Sequence, residues 1–320
     1  MTVLAVATGG VAGIGMGYVL QRGQLCFHSM IDGAQRGSFL LLRAWGLGVA
    51  IAAVGLSVLL ATPLGAGLDH GLPFAPVGNI AGGLLIGLGM VIARSCVSGL
   101  FFKLGAGMLG ATIGLAGWAV GELVARRIAV PGPVLLPPGD GATIPELLGL
   151  PRAVVAVAFL VAVGAFLWRR RSVERPEQSW QWGWPMLGVA LGVVTVAGWV
   201  LAALGGSPFG PSSVGAVTSI AVGAPNWWLL SFLVGIVAGA LVAARSAGGF
   251  RLRGEQPVRY AQLAVGGALL GAGGWIAGGC NLGHGLSGVA QLNVSSWVVV
   301  VAIAGGVGIG RLIRTRVSAS

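Results

Sequence analysis

Charge is what this chain has least of. Only 8% of its 320 residues are Asp, Glu, Lys or Arg, whereas 56% are hydrophobic and the mean hydropathy is +0.91. An ordinary soluble domain carries about 25% charged residues, so a soluble fold is excluded. Cysteine is confined to Cys26, Cys96 and Cys280, an odd number with no two at CxxC spacing. That excludes a closed disulfide framework and a zinc ribbon. A nucleotide-binding loop is missing as well, so ATP hydrolysis within this chain is not expected. No basic stretch precedes the first apolar run, and "MTVLAVATGGVAGIGMGYVL" is expected to remain as a first span instead of being removed as a signal peptide.

What is present in abundance is apolar sequence punctuated by 59 glycines. A helix needs about 20 predominantly apolar residues to cross the hydrocarbon core. Nine such segments are readable, at roughly 3–20, 40–61, 78–93, 106–125, 153–168, 185–204, 226–244, 260–278 and 296–312. The expected fold class is an all-α polytopic membrane protein, a single membrane domain over 1–320 surrounded by lipid. Glycine suits close approach of membrane helices.

The net charge of +11 does not indicate nucleic acid, because the basic residues are gathered at span ends. Arg169, Arg170, Arg171 and Arg175 form one cluster, Arg245, Arg251, Arg253 and Arg259 a second, and Arg311, Arg314 and Arg316 a third. The positive-inside rule places all three in the cytoplasm. Working back through the spans puts the N-terminus outside and the C-terminus inside. Of the 19 Lys and Arg, only Arg126, Arg127 and Arg152 then lie outside. Glu122 is the one acid within an expected span, and Arg126 four residues on is its expected ion-pair partner.

The run "GLGMVIARSC" (87–96) aligns without a gap on "GAGGWIAGGC" (271–280), and "GYVLQRGQLC" (17–26) on "GWVLAALGGS" (198–207). Cysteine ends three of the four, and Ser207 ends the fourth. The chain thus divides into halves at about 1–127 and 183–316, joined by 128–182 with one extra span. An odd number of spans separates corresponding elements, so the halves are expected to be inverted in the membrane, as in transporters with midplane substrate sites. The segments after these four positions are too polar for spans and too apolar for free loops, and four re-entrant half-helices are expected there. Such backbone is tolerated only where it is buried in protein or lines a cavity. Half-helix N-termini favour anions, and the thiols would stand at the constriction.

Several roles are open to the thiols: packing, soft-metal ligation with His28 and His284, sulfur transfer as a thiolate, or weak S–H contacts to a sulfur-bearing anion. A low-dielectric site that admits anions disfavours charged cysteine, which supports neutral thiols and the last role. Arg22, Arg94, His28, Asn281, His284 and Ser207 are candidate supporting residues; no cofactor and no metal centre are expected.

The segments "RGQLCF", "GLGMVIARSCVSG" and "GGCNLGHG" resemble the three cysteine motifs of the YeeE/YedE sulfur transport family, and "SPFGPSSVGA" is similar to that family's fourth loop. Ser95 and Leu25 depart from the residues usual before the second and first cysteines. The resemblance implies a non-enzymatic importer of thiosulfate in the bacterial inner membrane, with Cys26, Cys96 and Cys280 at the functional positions and a TusA-like sulfur carrier protein as cytoplasmic partner. A membrane sulfurtransferase forming a cysteine persulfide, a carrier of a selenium-containing species and a soft-metal permease stand as alternatives.

Overall fold

A bilayer leaves a glycine-rich apolar chain few options other than helices that satisfy their own backbone groups. In the computed structural model, which describes residues 2–169, 174, 176 and 178–317, this is what the chain does. Arg170, Arg171 and Arg175 of the first basic cluster lie outside the described residues.

Among the described residues, nine long helices occupy the nine expected segments. They are α1 (Thr2–Gly23), α3 (Leu40–Leu60), α4 (Pro76–Ala93), α6 (Gly110–Ala125), α8 (Arg152–Arg169), α9 (Trp184–Leu204), α11 (Trp227–Ser246), α12 (Pro257–Ala277) and α13 (Val294–Val317). The short helices between them are α2 (Phe27–Ala34), α5 (Val97–Gly105), α7 (Ile144–Leu148) and α10 (Ala216–Ala221). Seven of the long helices are long and apolar enough to cross a membrane; α6, with 16 residues, is shorter, and α12 opens on the polar stretch Arg259, Tyr260 and Gln262. The protein is an all-helical, multi-pass membrane protein.

Two of the expected half-helices form as regular α-helix, α2 directly after Cys26 and α5 directly after Cys96. The other two differ. After Ser207 the chain stays irregular until α10, because Pro208 and Pro211 supply no backbone N–H to a helix. After Cys280 a turn of π-helix, Gly283–Gly288, replaces an α-helix. Its three glycines disfavour the tighter winding.

Helix α1 packs on α11 and α9, α3 on α9 and α8, and α4 on α12 and α13, while α6 packs on α12. Glycine sets the separations. A Cβ on Gly13 or Gly17 would strike the carbonyl oxygens of Phe232 or Ile236 on α11, and one on Gly235 or Gly239 would strike those of Gly10 or Ile14 on α1. Between α4 and α12, a Cβ on Gly82 would lie 2.6 Å from the Gly273 oxygen and one on Gly273 would lie 2.7 Å from the Gly82 oxygen. Backbone meets backbone in each case, so the contact is made of dispersion and close polar approach that larger residues would prevent.

The loops sort onto two faces. The N-terminal residues Thr2 and Leu4 share a surface depression with Ser207 and Asn226. On that same face the Asp69 N–H donates to the Pro208 oxygen (2.6 Å), and the 127–152 loop is tied in by the Ile144 N–H to the Leu292 oxygen (2.9 Å). The opposite face carries Gln35 with Arg311 (3.0 Å) and Arg259 at the end of α4.

Replacing Gly13 by Leu is expected to force α1 from α11, at a cost of about 1–3 kcal/mol for overpacking. Fluorescence-detected size-exclusion chromatography of detergent extracts should show a lower yield of monodisperse protein than for Gly10→Leu, whose Cβ meets open space; equal yields would contradict the packing.

Candidate functional site

Four long helices end the same way inside the protein. After α1, α4, α9 and α12 one residue turns left-handed: Gln24 (φ 49°), Arg94 (φ 47°), Gly206 (φ 69°) and Gly278 (φ 79°). The next N–H folds back onto a carbonyl of the helix just ended: Leu25 to Leu20 (3.0 Å), Ser95 to Met90 (3.1 Å), Ser207 to Ala202 (2.9 Å) and Gly279 to Gly274 (2.9 Å). This is the hydrogen bond of a Schellman cap, which satisfies carbonyls a helix end would otherwise leave open. The residue that follows is the one thrown into the interior. In three cases it is Cys26, Cys96 and Cys280.

The fourth case corrects the sequence alignment. Ser207 occupies the place of Leu25, Ser95 and Gly279, and Pro208 stands where the cysteines stand. The Ser207 hydroxyl donates to the Phe209 oxygen (2.9 Å). A residue-type match had placed it one position late, since the hydrogen-bond register is not visible in composition.

Cys26 and Cys96 meet. Their sulfurs are 3.4 Å apart and both are buried, at 1% and 0% exposure. Each sulfur accepts the backbone N–H at the mouth of the other helix: Phe27 N–H to Cys96 Sγ at 3.3 Å, Cys96 N–H to Cys26 Sγ at 3.2 Å. Cys96 also caps its own helix by accepting from the Gly99 N–H (3.3 Å). The donors at the starts of α2 and α5, which suit an anion, are therefore turned on the thiol sulfurs. Gly99 makes this possible, because a Cβ there would sit 2.9 Å from Cys26 Sγ and 3.2 Å from Cys96 Sγ.

The pair is the middle of a polar chain. On one side Ser98 Oγ lies 3.3 Å from Cys96 Sγ and accepts from Asn281 Nδ2 at 2.8 Å, which reaches the segment after Cys280. On the other side Ser95 Oγ lies 3.9 Å from Cys26 Sγ and accepts from Lys103 Nζ at 3.1 Å. Lys103 also donates to the Arg94 oxygen (3.0 Å), and the Arg259 guanidinium donates to the Ile92 oxygen (3.1 Å) and the Ala93 oxygen. Two cations thus hold the end of α4, where the helix dipole is negative. Cys280 Sγ, 1% exposed, accepts from the Leu282 N–H at 3.3 Å. Beyond it, toward the N-terminal face, a cavity of about 390 Å³ is lined by Ser207, Ser212, Gly215, Ser219 and Gly278.

The remaining candidates fall outside this chain. Arg22 stacks on Trp182 with its guanidinium carbon 5.4 Å from the ring centre. The Arg94 side chain is exposed, and only its carbonyl serves the site. His28 is half-buried on α2, beside the pair and not in it. His284 has both ring nitrogens engaged, one 2.9 Å from Ser296 Oγ and one 2.8 Å from the Ala277 oxygen, so it braces the π-helical turn. Among the described residues, no three His, Cys, Asp or Glu side chains cluster in a way that could hold a metal ion.

Glu122 does not pair with the Arg126 side chain. Its Oε1 instead accepts from the Gly215 N–H (3.0 Å), the Thr218 N–H (3.2 Å) and the Thr218 hydroxyl (2.8 Å). Burial of that face of α6 against α12 and α10 keeps the carboxyl inside while Arg126 points to the exposed end. The sequence reading did not single out Gly99, and nothing in the sequence joined Ser98 to Asn281.

A family model described as sulphur transport matches residues 22–309. Over 322 aligned residues the chain is 32% identical to the thiosulfate transporter TsuA of Spirochaeta thermophila, covering 92% of this chain and 94% of that one. It is 24% identical to the thiosulfate transporter TsuA of Escherichia coli, covering 94% of this chain and 92% of that one.

Thiols 3.4 Å apart can close to the roughly 2.0 Å of a disulfide with little movement. Copper phenanthroline treatment is expected to link Cys26 to Cys96 within one molecule, seen as the loss of two hydrogens by intact mass and as one cross-linked peptide. Gly99→Ala should lower the yield by displacing the sulfurs. Linkage of Cys280 to either thiol, or none between Cys26 and Cys96, would contradict the geometry.

Proposed function

From the premise that this chain belongs to the sulphur transport family, we propose that it carries thiosulfate inward across the bacterial cytoplasmic membrane, past Cys26, Cys96 and Cys280. Both relatives described above are named thiosulfate transporters. The observation that carries the reading is the reciprocal pair, in which each thiol sulfur takes the amide of the opposing short helix. A position that attracts sulfur to backbone N–H groups from two helix starts also suits the terminal sulfur of thiosulfate. Passage then consists of S–H and N–H contacts exchanged from thiol to thiol, with no covalent intermediate.

The path runs from the cavity beside Ser207 and Ser212, past Cys280 and Asn281, to Ser98, Cys96 and Cys26, and leaves near Ser95 and Lys103. Asn281 and Ser213 support it with buried polar atoms, Oδ1 and Oγ, that have no partner among the described residues. The face bearing Arg251, Arg253, Arg259 and Arg311 is cytoplasmic on this reading and the N-terminus is outside. A TusA-like carrier at the cytoplasmic face takes the terminal sulfur as a persulfide, its thiolate breaking the S–S bond of thiosulfate while sulfite leaves.

Two inverted repeats account for the packing. When α1, α3, α4 and α6 are exchanged for α9, α11, α12 and α13, the contact of α1 with α11 becomes that of α9 with α3. The contact of α4 with α13 likewise becomes that of α12 with α6. Helix α8 has no counterpart and borders only α3 and α7 among these pairings. The soft-metal alternative is less well supported, since His284 has no free ring nitrogen.

The test is uptake of thiosulfate labelled on its terminal sulfur into cells lacking their own importers, with wild type compared to Cys96→Ala and Cys280→Ala at matched membrane expression. Uptake by wild type and its loss by at least tenfold in both variants is the expected result. Uptake that survives in both would sink the thiol path, and a trapped persulfide by intact mass would replace contact by covalent transfer.

A further inference from the structure

Among the described residues Glu122 is the one fully buried acid, and the thiol path does not use it. It sits in the last turn of α6 and is 0% exposed. Its Oε1 holds the segment entering α10 through three donors, from Gly215 and Thr218, while Oε2 is buried with no partner among the described residues. A polar atom shut away from water without a partner is costly, and much more so when it carries charge. An ionisable residue inside a membrane domain that is not an anchor at its edge points to function.

Among the described residues, no charged side chain compensates the carboxyl. Helix α10 faces it with Thr218. Helix α12 faces it with Gly271, whose Cβ would lie 2.8 Å from the Glu122 N–H nitrogen. On the α5 side, Phe101 packs edge-on against Trp118, one turn earlier in α6. Arg126 meets it, among the described residues, only through the helical bond from its N–H to the Glu122 backbone oxygen, at 3.1 Å. The titratable group on this side is Cys280, which shares the surface of Gly274 with Val214, the neighbour of Gly215. Gly215 also lines the cavity on the N-terminal face. The acid is therefore one residue removed from the space in which the anion arrives.

We propose that Glu122 is a proton-binding site linked to anion binding in that cavity. A proton from the cavity forms an O–H bond at Oε2, and the carboxylate charge that would repel a dianion is removed. Because linkage is reciprocal, a bound dianion draws the proton onto Glu122 as strongly as the proton favours the dianion. Oε1 keeps its three donors in both states, so α10 stays in place while the charge beside it changes. The inference rests on the cargo being a divalent sulfur anion such as thiosulfate, which stays fully ionised near neutral pH.

Purified full-length protein in weakly buffered detergent solution is mixed with labelled thiosulfate, and bound label and pH change are read together. Wild type is expected to bind more tightly as pH falls, by up to about tenfold per unit for one linked proton, and to take up protons when thiosulfate is added. Glu122→Gln keeps the acceptor for Gly215 and Thr218, and should bind with an affinity independent of pH and without proton uptake. Thr218→Val removes one donor to the ionised carboxylate and should move the midpoint to higher pH. Wild type that binds thiosulfate without proton uptake, or Glu122→Gln that keeps the wild-type pH profile, overturns this inference and leaves the cargo intact. Wild type that binds no thiosulfate at any pH overturns the cargo reading and this inference with it.

Discussion

A helix that stops inside a protein leaves carbonyls and N–H groups that water cannot reach, and the centre of this molecule depends on how four such stops are closed. The left-handed residue and the back-folded N–H close the carbonyl side after α1, α4, α9 and α12. At two of the following helix starts the N–H side is closed by sulfur. Cys96 receives the Phe27 and Gly99 amides, and Cys26 receives the Cys96 amide. Sulfur is a weak acceptor, so these donors are engaged yet not firmly committed. On the proposed thiol path, a site built on weak acceptors would exchange them for a passing sulfur anion at small cost, whereas a carboxylate at the same place would hold the amides and repel the anion.

The helix packing makes that arrangement rigid enough to matter. Gly13, Gly17, Gly235 and Gly239 bring α1 and α11 to backbone contact, and Gly82 with Gly273 does the same for α4 and α12. Since α1 and α4 each end at a thiol, errors in these separations would be transmitted to a 3.4 Å contact between sulfurs. Two of the four end segments are also latched to a distant span: Asp32 of α2 pairs with Arg311 of α13 at 3.3 Å, and α10 hangs on Glu122 of α6. The two latches differ in kind. The first is an ion pair with its arginine partly open to solvent, where such pairs contribute about 0–1 kcal/mol; the second is a buried acid bound only to neutral donors.

The positions of all nine long helices and of α2 and α5 were legible in the sequence, because a bilayer imposes a minimum apolar length that composition alone reveals. The three thiols were legible as a set for a similar reason, each closing an apolar glycine-rich run. The left-handed caps were not. Gly206 and Gly278 suggest a turn, but Gln24 and Arg94 adopt the same backbone without being glycine, at a strain of about 1–2 kcal/mol that only surrounding contacts can sustain. For that reason the fourth motif was ended one residue early, at Ser207 instead of Pro208.

Hydropathy and charge, read along the chain, determined the class of protein, the places of the long helices and the set of three thiols at their ends. The tertiary structure decided which thiol meets which, that His284 braces a turn instead of facing a ligand, and that Glu122 serves α10 and not Arg126. Those outcomes rest on contacts such as Asn281 to Ser98 and Cys26 to Cys96. They join residues far apart in sequence through hydrogen-bond geometry a few ångströms wide, which local composition does not encode.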